Sequence, residues 1–89
     1  MTSRTTERFR SALAALPEAI RARARHAYRL FRDNPQHPSL RFKRVHTTRP
    51  IFSARIGLGY RALAVQDGDD LIWFWIGTHG EYDALLRRL

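Results

Sequence analysis

The chain has 89 residues, which is enough for one domain (1–89) and not for two. Its formal net charge is +8, and fifteen of its sixteen basic residues are Arg, whose planar fork of donors fits phosphate and carboxylate groups. We therefore expect an anionic partner: nucleic acid, a ribosomal surface or an acidic protein. Cys is absent and four His are scattered, so we expect no disulfide, metal site or cofactor. Without a signal region or a segment of transmembrane length, the expected compartment is the cytoplasm, with no membrane partner.

The first part of the chain is predicted to be helical. Met1–Thr6 is polar and is predicted to be a short edge strand or a frayed arm. Apolar residues at helical spacing predict one helix over Glu7–Leu16 and a second from Pro17 to Asp33, which Asn34-Pro35 ends. Because no loop separates the two helices, they should form an antiparallel hairpin.

One face of the second predicted helix is strongly basic. It carries Arg21, Arg25, Arg29 and Arg32, which we call the helix arginines. Like charges one helical turn apart cost about 0.2–0.5 kcal/mol per pair. The face is therefore either simply solvated or a binding surface for an anionic partner, and both interpretations remain open.

The second part of the chain alternates between polar and apolar residues, which predicts strands. The predicted strands are Leu40–His46, Ile51–Gly57, Tyr60–Gln66 and Leu71–Thr78. Short glycine-containing turns join the last three into an antiparallel meander. The run Leu71–Ile76 is apolar on both faces, which indicates a central strand covered on both sides, or covered on one side by a partner.

Glu81–Leu89 is a short amphipathic tail. The predicted fold is therefore α+β, with an N-terminal helical hairpin packed on one face of an antiparallel sheet of about four strands, and a short C-terminal helix.

The alternation also separates a charged face of the sheet from its core face. Phe52, Ala54 and Ile56 share one face of their strand, while Ser53 and Arg55 share the other. Arg55 should therefore project away from the core. Arg61 begins the next strand, just past the turn, and should lie near Arg55.

Five segments in order carry a resemblance to a known family. They are Asn34–Pro38, Leu40–Lys43, Ile51–Ile56 with Ser53-x-Arg55, Gly59–Leu63 with Tyr60-Arg61, and Trp73–Gly77 followed by His79–Tyr82. Together they resemble the RelE/ParE superfamily of bacterial type II toxins. The resemblance implies that superfamily's fold and a toxin neutralised by a cognate acidic antitoxin. RelE-like members bind the ribosomal A site and cut mRNA, whereas ParE-like members inhibit DNA gyrase.

The resemblance also implies roles for residues of this chain. Arg61 matches the RelE-like Arg that contacts the scissile phosphate, Arg55 matches a second basic position, and His79 lies where relatives place a C-terminal His or Tyr. These three are the expected catalytic residues, because arginines can stabilise a phosphorane and an imidazole can act as base or acid. The expected RNA-binding residues are Arg41, Lys43, His46 and Tyr82. The helix arginines, Trp73 and Trp75 are expected to bind the antitoxin.

Two departures from the superfamily keep alternatives open. Where RelE-like enzymes carry a lysine pair, this chain has Ala54 and a hydrophobic neighbour, and no Glu between Glu18 and Glu81 could serve as the base of YoeB-like enzymes. The leading expectation is a metal-independent mRNA interferase, an endoribonuclease that inhibits growth. The alternatives are a non-catalytic gyrase inhibitor and a degenerate member that only binds RNA or protein. Structural roles also remain open for Arg61, His79, Tyr82, Lys43 and His46.

Overall fold

The computed structural model describes residues 2–89, so Met1 of the predicted arm lies outside the described residues. The elements in chain order are β1 (Thr2–Thr5), α1 (Glu7–Ala14), α2 (Glu18–Asp33), a 3₁₀ turn (Pro38–Leu40), β2 (Lys43–Arg44), β3 (Ile51–Ile56), β4 (Tyr60–Asp67), β5 (Asp70–Thr78) and α3 (His79–Leu86). The predicted α+β fold is confirmed, with a sheet of five strands rather than about four. Within residues 2–89, none of the helices is both long and apolar enough to cross a membrane.

The sheet has the order β1-β5-β4-β3-β2. The last three strands form the predicted antiparallel meander, and β1 is an edge strand that runs parallel to β5. The N-terminal segment is thus a strand and not a frayed arm. Its parallel pairing is possible because α1 and α2 carry the chain across the sheet before β2 begins.

The prediction of a strand over Leu40–His46 is wrong over most of its length. The ring Nδ1 of His37 accepts a hydrogen bond from the Ser39 N–H at 3.2 Å and starts a 3₁₀ turn that buries Leu40 at 1% exposure. Arg41 then takes a left-handed conformation with φ of 46°, which interrupts any extended chain. Only Lys43 and Arg44 pair with β3.

The two N-terminal helices cover one face of the sheet without closing on each other. α1 packs on β5 and α2 packs on β3. An apolar pocket of ≈ 440 Å³ opens between them, and its lining includes Leu13, Ala24, Ala27 and Ala62. These side chains are too short or too few to fill the space above the sheet, so the predicted hairpin is splayed around a groove.

A β-bulge divides the aromatic residues of β5 between the two faces of the sheet. Leu63 of β4 pairs with Trp75, but the next residue pairs with Trp73, which leaves Phe74 as the extra residue. Trp73 consequently packs in the core beneath the helices at 6% exposure, while Trp75 packs on the other face with α3. The two indoles therefore do not form one stripe, and Trp73 has no exposed ring to offer a partner.

α3 begins at His79, two residues earlier than predicted, because Thr78 and Glu81 form a capping box. The Thr78 hydroxyl accepts from the Glu81 N–H at 3.1 Å, and the Thr78 N–H donates to the Glu81 carboxylate at 2.8 Å. These two bonds fix the first turn of α3, which carries His79, against the end of β5.

Replacing Thr78 by Ala should lower the free energy of unfolding by about 1 kcal/mol, because one cap bond is lost. Thr47→Ala is the matched control, since Thr47 is exposed and outside any cap. Urea unfolding measures both variants. Equal stability of Thr78→Ala and the wild type would contradict the capping assignment.

The same box makes stability depend on pH in a stated direction. Hydrogen bonds from the Thr78 N–H and then the Thr78 hydroxyl hold the pKa of Glu81 below its ordinary value of 4.5. A carboxyl with a lowered pKa stabilises the folded state above its unfolded pKa, and this contribution is lost as pH falls through the folded pKa. We expect Glu81→Gln to be less stable than the wild type at neutral pH, with a difference that shrinks as pH falls below 4.5 and vanishes below the folded pKa. A pH-independent difference would contradict this.

Candidate active site on the sheet

Three arginines lie near one another beside the turn that joins β3 and β4. Arg55 on β3 and Arg61 on β4 are direct register partners. Arg41, after the 3₁₀ turn, is near enough for its charge to act on Arg61. We call Arg41, Arg55 and Arg61 the sheet arginines. Among residues 2–89, none of the three has a carboxylate in salt-bridge contact.

Arg61 is a partly buried member of the sheet arginines. Its partial burial, followed by the charges of Arg55 and Arg41, lowers the pKa of its guanidinium, while Tyr82 and Asp83 act in the opposite direction. The group still carries its charge at neutral pH. One of its terminal nitrogens donates to the Tyr60 carbonyl at 2.9 Å, which leaves further donors for a ligand. An unpaired cation held in a partly desolvated position interacts strongly with an anion placed beside it.

The first turns of α3 bring an imidazole and a carboxylate close to each other. The Nδ1 of His79 lies 3.6 Å from the Asp83 Oδ2, and the two side chains are 52% and 49% exposed. This separation is longer than a hydrogen bond, so the two groups form an ion pair when the imidazole is protonated. The His79 N–H also donates to the Gly59 carbonyl at 2.8 Å, which anchors α3 beside the turn that precedes Arg61.

Tyr82 supports this site from beneath. It is 6% exposed, and its hydroxyl donates to the Ser53 Oγ at 3.2 Å. Its ring stacks under that of His79 with centroids 6.1 Å apart. Tyr82 is therefore a core residue that positions His79, and its ring is not available to stack on an RNA base.

A comparison with protein-family models decides the family. A model described as the ParE-like toxin domain matches residues 18–84 of the chain. The chain belongs to this family. It is thus a member of the RelE/ParE superfamily, as the sequence predicted. No curated protein matches the sequence.

Solved structures with the same fold include toxins alone and in complexes. The RelB–RelE antitoxin–toxin complex from Methanococcus jannaschii matches with a TM-score of 0.70 at 20% identity, covering 90% of this chain and 95% of that chain. The isolated E. coli RelE toxin matches at 0.67 and 13% identity, covering 99% and 98%. The RelBE2 complex from Mycobacterium tuberculosis matches at 0.57 and 25% identity, covering 88% and 96%. The ParE-like domain therefore has the RelE fold.

The ParE-like domain brings some of the predicted site residues together and separates others. Arg55, Arg61 and His79 share one region with Arg41, and Lys43 lies exposed at its margin, opposite Ser53 in the register. His46 is engaged elsewhere.

The ring of His46 holds together a loop and the end of the described chain. Its Nδ1 accepts from the Thr48 and Arg49 N–H groups at 3.2 and 3.0 Å, and its Nε2 donates to the Leu89 carbonyl at 2.9 Å. Both ring nitrogens are used within the protein, so the structure does not offer His46 to RNA.

The helix arginines of the ParE-like domain are not equivalent. Arg21 donates to the Leu16 carbonyl at 2.5 Å and pairs with Glu18, so it closes the junction between α1 and α2. Arg25 also pairs with Glu18, at 3.3 Å. Hydrogen bonds from Arg21 and then Arg25 lower the pKa of Glu18 below its ordinary value.

The other helix arginines have different surroundings. Arg29 borders the apolar pocket, as Arg25 does, and Arg32 lies 4.0 Å from Asp33.

Two functional features were not predicted from the sequence. Asp83 lies 3.6 Å from the His79 ring, and the spacing His79-x-x-x-Asp83 on a helix could have revealed this contact, because residues four apart share a helix face. The second feature is Gly77, the register partner of Arg61. The six-membered ring of Trp75 lies over this glycine, and a Cβ at position 77 would be 2.7 Å from the ring, so there is no room for a side chain. The row of Arg55 and Arg61 thus ends against an indole.

Proposed function

We propose that this ParE-like domain is the toxin of a type II toxin–antitoxin system and that it cleaves ribosome-bound mRNA without a metal ion. The observation that carries the proposal is the cluster of sheet arginines, which have no carboxylate partner among the described residues, beside the His79–Asp83 pair. Clustered like charges repel, and a bound phosphodiester relieves that repulsion. The described residues contain no group of three His, Asp or Glu side chains suited to a metal ion.

These groups can supply the steps that RNA transesterification needs. The imidazole of His79 takes the proton of the ribose 2′-OH, and the 2′ oxygen attacks phosphorus. The bond from phosphorus to the 5′ oxygen breaks, the 5′ oxygen takes a proton from water, and the products are a 2′,3′-cyclic phosphate and a 5′-OH end. Arg61, with Arg55 and Arg41, stabilises the additional negative charge that forms on the phosphorane oxygens. Lys43 extends the basic surface along the strand.

The helical face is the proposed antitoxin-binding surface. The apolar pocket between α1 and α2 is bordered by Arg25 and Arg29, and Tyr28 on its rim is 44% exposed. An acidic amphipathic segment matches this combination of an apolar floor and a basic rim. The RelB–RelE complexes that share the fold support an antitoxin partner. Trp75 is half-buried on the opposite face of the sheet, with α3, so it lies apart from this helical surface.

A second candidate function is non-catalytic inhibition of DNA gyrase. The ParE-like family match favours it, because the resemblance associates that branch with gyrase. Under this alternative, the helical face would bind gyrase and His79 would be dispensable. The imidazole of His79, near Arg61 through its neighbour Asp83, favours the nuclease, since general-base catalysis needs an imidazole and an anion-binding group together.

Induced expression with mapping of RNA 5′ ends separates the two functions. We compare the wild type with Arg61→Ala, His79→Ala and the control Arg8→Ala, which removes an exposed arginine of α1. The nuclease predicts new cuts within translated mRNA for the wild type and the control, and none for the other two variants. Full toxicity of both site variants, with intact mRNA and broken DNA, would overturn the nuclease in favour of gyrase inhibition.

A further inference from the structure

A second cleft lies on the side of α2 away from the apolar pocket. It has a volume of ≈ 510 Å³ and lies between α2, the 3₁₀ turn and the β3–β4 turn. Its polar lining consists of Arg23, His26, Ser39 and Arg55, and no acidic residue lines it. The sequence indicated no functional role for Arg23 or His26. Each is one more polar residue on a helix that carries many arginines.

Two cationic side chains of this cleft meet at one glycine. The Arg55 Nε donates to the Gly57 carbonyl at 3.0 Å. From the other side, the stem of Arg23 packs so closely that a Cβ on Gly57 would lie 2.9 Å from its Cδ. Gly57 also has a φ of 63°, so the turn needs glycine for its conformation as well as for this approach.

The arrangement leaves positive charge without compensation. Within residues 2–89, neither Arg23 nor Arg55 forms a salt bridge. Each guanidinium has five donors, and the one contact of Arg55 with Gly57 leaves most of its donors free. Two unpaired guanidinium groups directed at one turn repel each other, and an anion that both can reach removes the repulsion.

We propose that this cleft binds a phosphate group of the RNA strand, adjacent to the phosphate held by the sheet arginines. The inference rests on the proposed function and extends it, because it gives the bound strand a path. Arg55 connects the two places: it lines the cleft and is also the register partner of Arg61. A strand whose scissile phosphate contacts Arg61 therefore has its next cationic contact at Arg55 and Arg23.

The dimensions and chemistry of the cleft favour a nucleotide over an isolated carboxylate. Its volume falls in the range of about 300–1,000 Å³ that small organic ligands occupy. Leu58, 81% exposed at the tip of the turn, provides an apolar contact for a ribose or base. The Ser39 hydroxyl and the His26 ring add hydrogen-bonding groups, and paired arginine forks suit the non-bridging oxygens of a phosphodiester.

The test is the affinity of the full chain for a short single-stranded RNA that is 2′-O-methylated throughout. This probe keeps every phosphate and cannot be cut, because it lacks the nucleophilic hydroxyl. Fluorescence anisotropy at several salt concentrations compares the wild type with Arg23→Gln, His26→Gln and the matched control Arg8→Gln. Thermal unfolding of each variant shows whether the fold is retained.

We expect Arg23→Gln to lower affinity roughly tenfold, as for the loss of one charge-assisted contact. The slope of log K against log salt should fall by about 0.7 for one lost phosphate contact on single-stranded RNA. His26→Gln should have a smaller effect in the same direction, and Arg8→Gln should match the wild type. A folded Arg23→Gln protein with wild-type affinity and slope overturns the inference while leaving the proposed function standing.

A second probe distinguishes RNA from an acidic protein segment. If Arg23→Gln lowers the affinity for a polyglutamate peptide of equal charge more than it lowers the affinity for the RNA, the cleft binds a carboxylate-bearing partner. That result would overturn the inference. If the wild type binds no RNA, the inference is overturned, whereas the proposed function, which concerns mRNA on the ribosome, is decided separately by the mapping of RNA 5′ ends.

Discussion

Replacing Arg61 by Ala is expected to lower the rate of mRNA cleavage by about 10²–10³-fold, the usual cost of removing one donor that stabilises transition-state charge. The guanidinium of Arg61 is partly buried, and Arg61 lies beside Arg55. Its interaction with the phosphorane is therefore weakly screened. Single-turnover cleavage of mRNA on purified ribosomes measures the rate, and Arg8→Ala is the control.

A second substitution at Arg61 separates a role in cleavage from a role in stability. Partial burial and the charges of Arg55 and Arg41 lower the pKa of Arg61, the direction expected for a cation that no carboxylate contacts. We therefore expect Arg61→Met, which keeps the volume and removes the charge, to be at least as stable as the wild type and yet inactive. A folded Arg61→Met protein that cleaves mRNA at the wild-type rate would contradict the phosphate-binding role of Arg61, and a clear loss of stability would show a structural role for this residue instead.

Replacing Trp73 by Ala is expected to destabilise the fold by about 3–5 kcal/mol, a large share of the total stability of a domain of this size. The indole packs edge-on against Phe31, with centroids 5.5 Å apart, and its Nε1 donates to the Ser3 Oγ at 2.8 Å. It therefore joins α2 to the sheet and β1 to β5. The loss of stability is large because the substitution removes both a buried ring and the hydrogen bond to Ser3 that holds β1 to the sheet.

Urea unfolding measures this loss, and two variants act as controls. Leu58→Ala removes a side chain that is 81% exposed and should change stability by less than about 0.5 kcal/mol. Trp73→Phe keeps most of the packing and should fall between the two. A Trp73→Ala protein that is stable but binds antitoxin poorly would restore the original expectation that Trp73 belongs to the antitoxin surface.

The fold was predictable where the helical or the alternating spacing of apolar residues continued without interruption. Alternation placed Ser53 and Arg55 opposite Phe52 and Ala54, and glycine turns fixed the meander, so the pairing of Arg55 with Arg61 followed from local rules. The failures arose where local chemistry overrode the period. His37 and Leu40 converted a predicted strand into a 3₁₀ turn, and the bulge at Phe74 moved Trp75 to the opposite face from Trp73.

The site was predictable only in part, because its members come from distant segments. The sequence and the family resemblance together indicated Arg55, Arg61 and His79, but nothing local showed that Tyr82 would be buried with its hydroxyl on Ser53. The cleft beside α2 depends on the approach of Arg23 to Gly57, two residues that lie on separate elements. Contacts of this kind follow from tertiary packing and have no pattern in the sequence.

The chemical identity of the RNA ends tests the central claim most directly. Purified ribosomes programmed with a defined mRNA are incubated with the wild-type chain, with His79→Ala and with Arg61→Ala, and the new termini are identified by mass spectrometry. Supercoiling by purified DNA gyrase is measured in parallel. The nuclease predicts 2′,3′-cyclic phosphate and 5′-OH ends with the wild type alone, and undisturbed gyrase. Intact mRNA together with inhibited gyrase would contradict it.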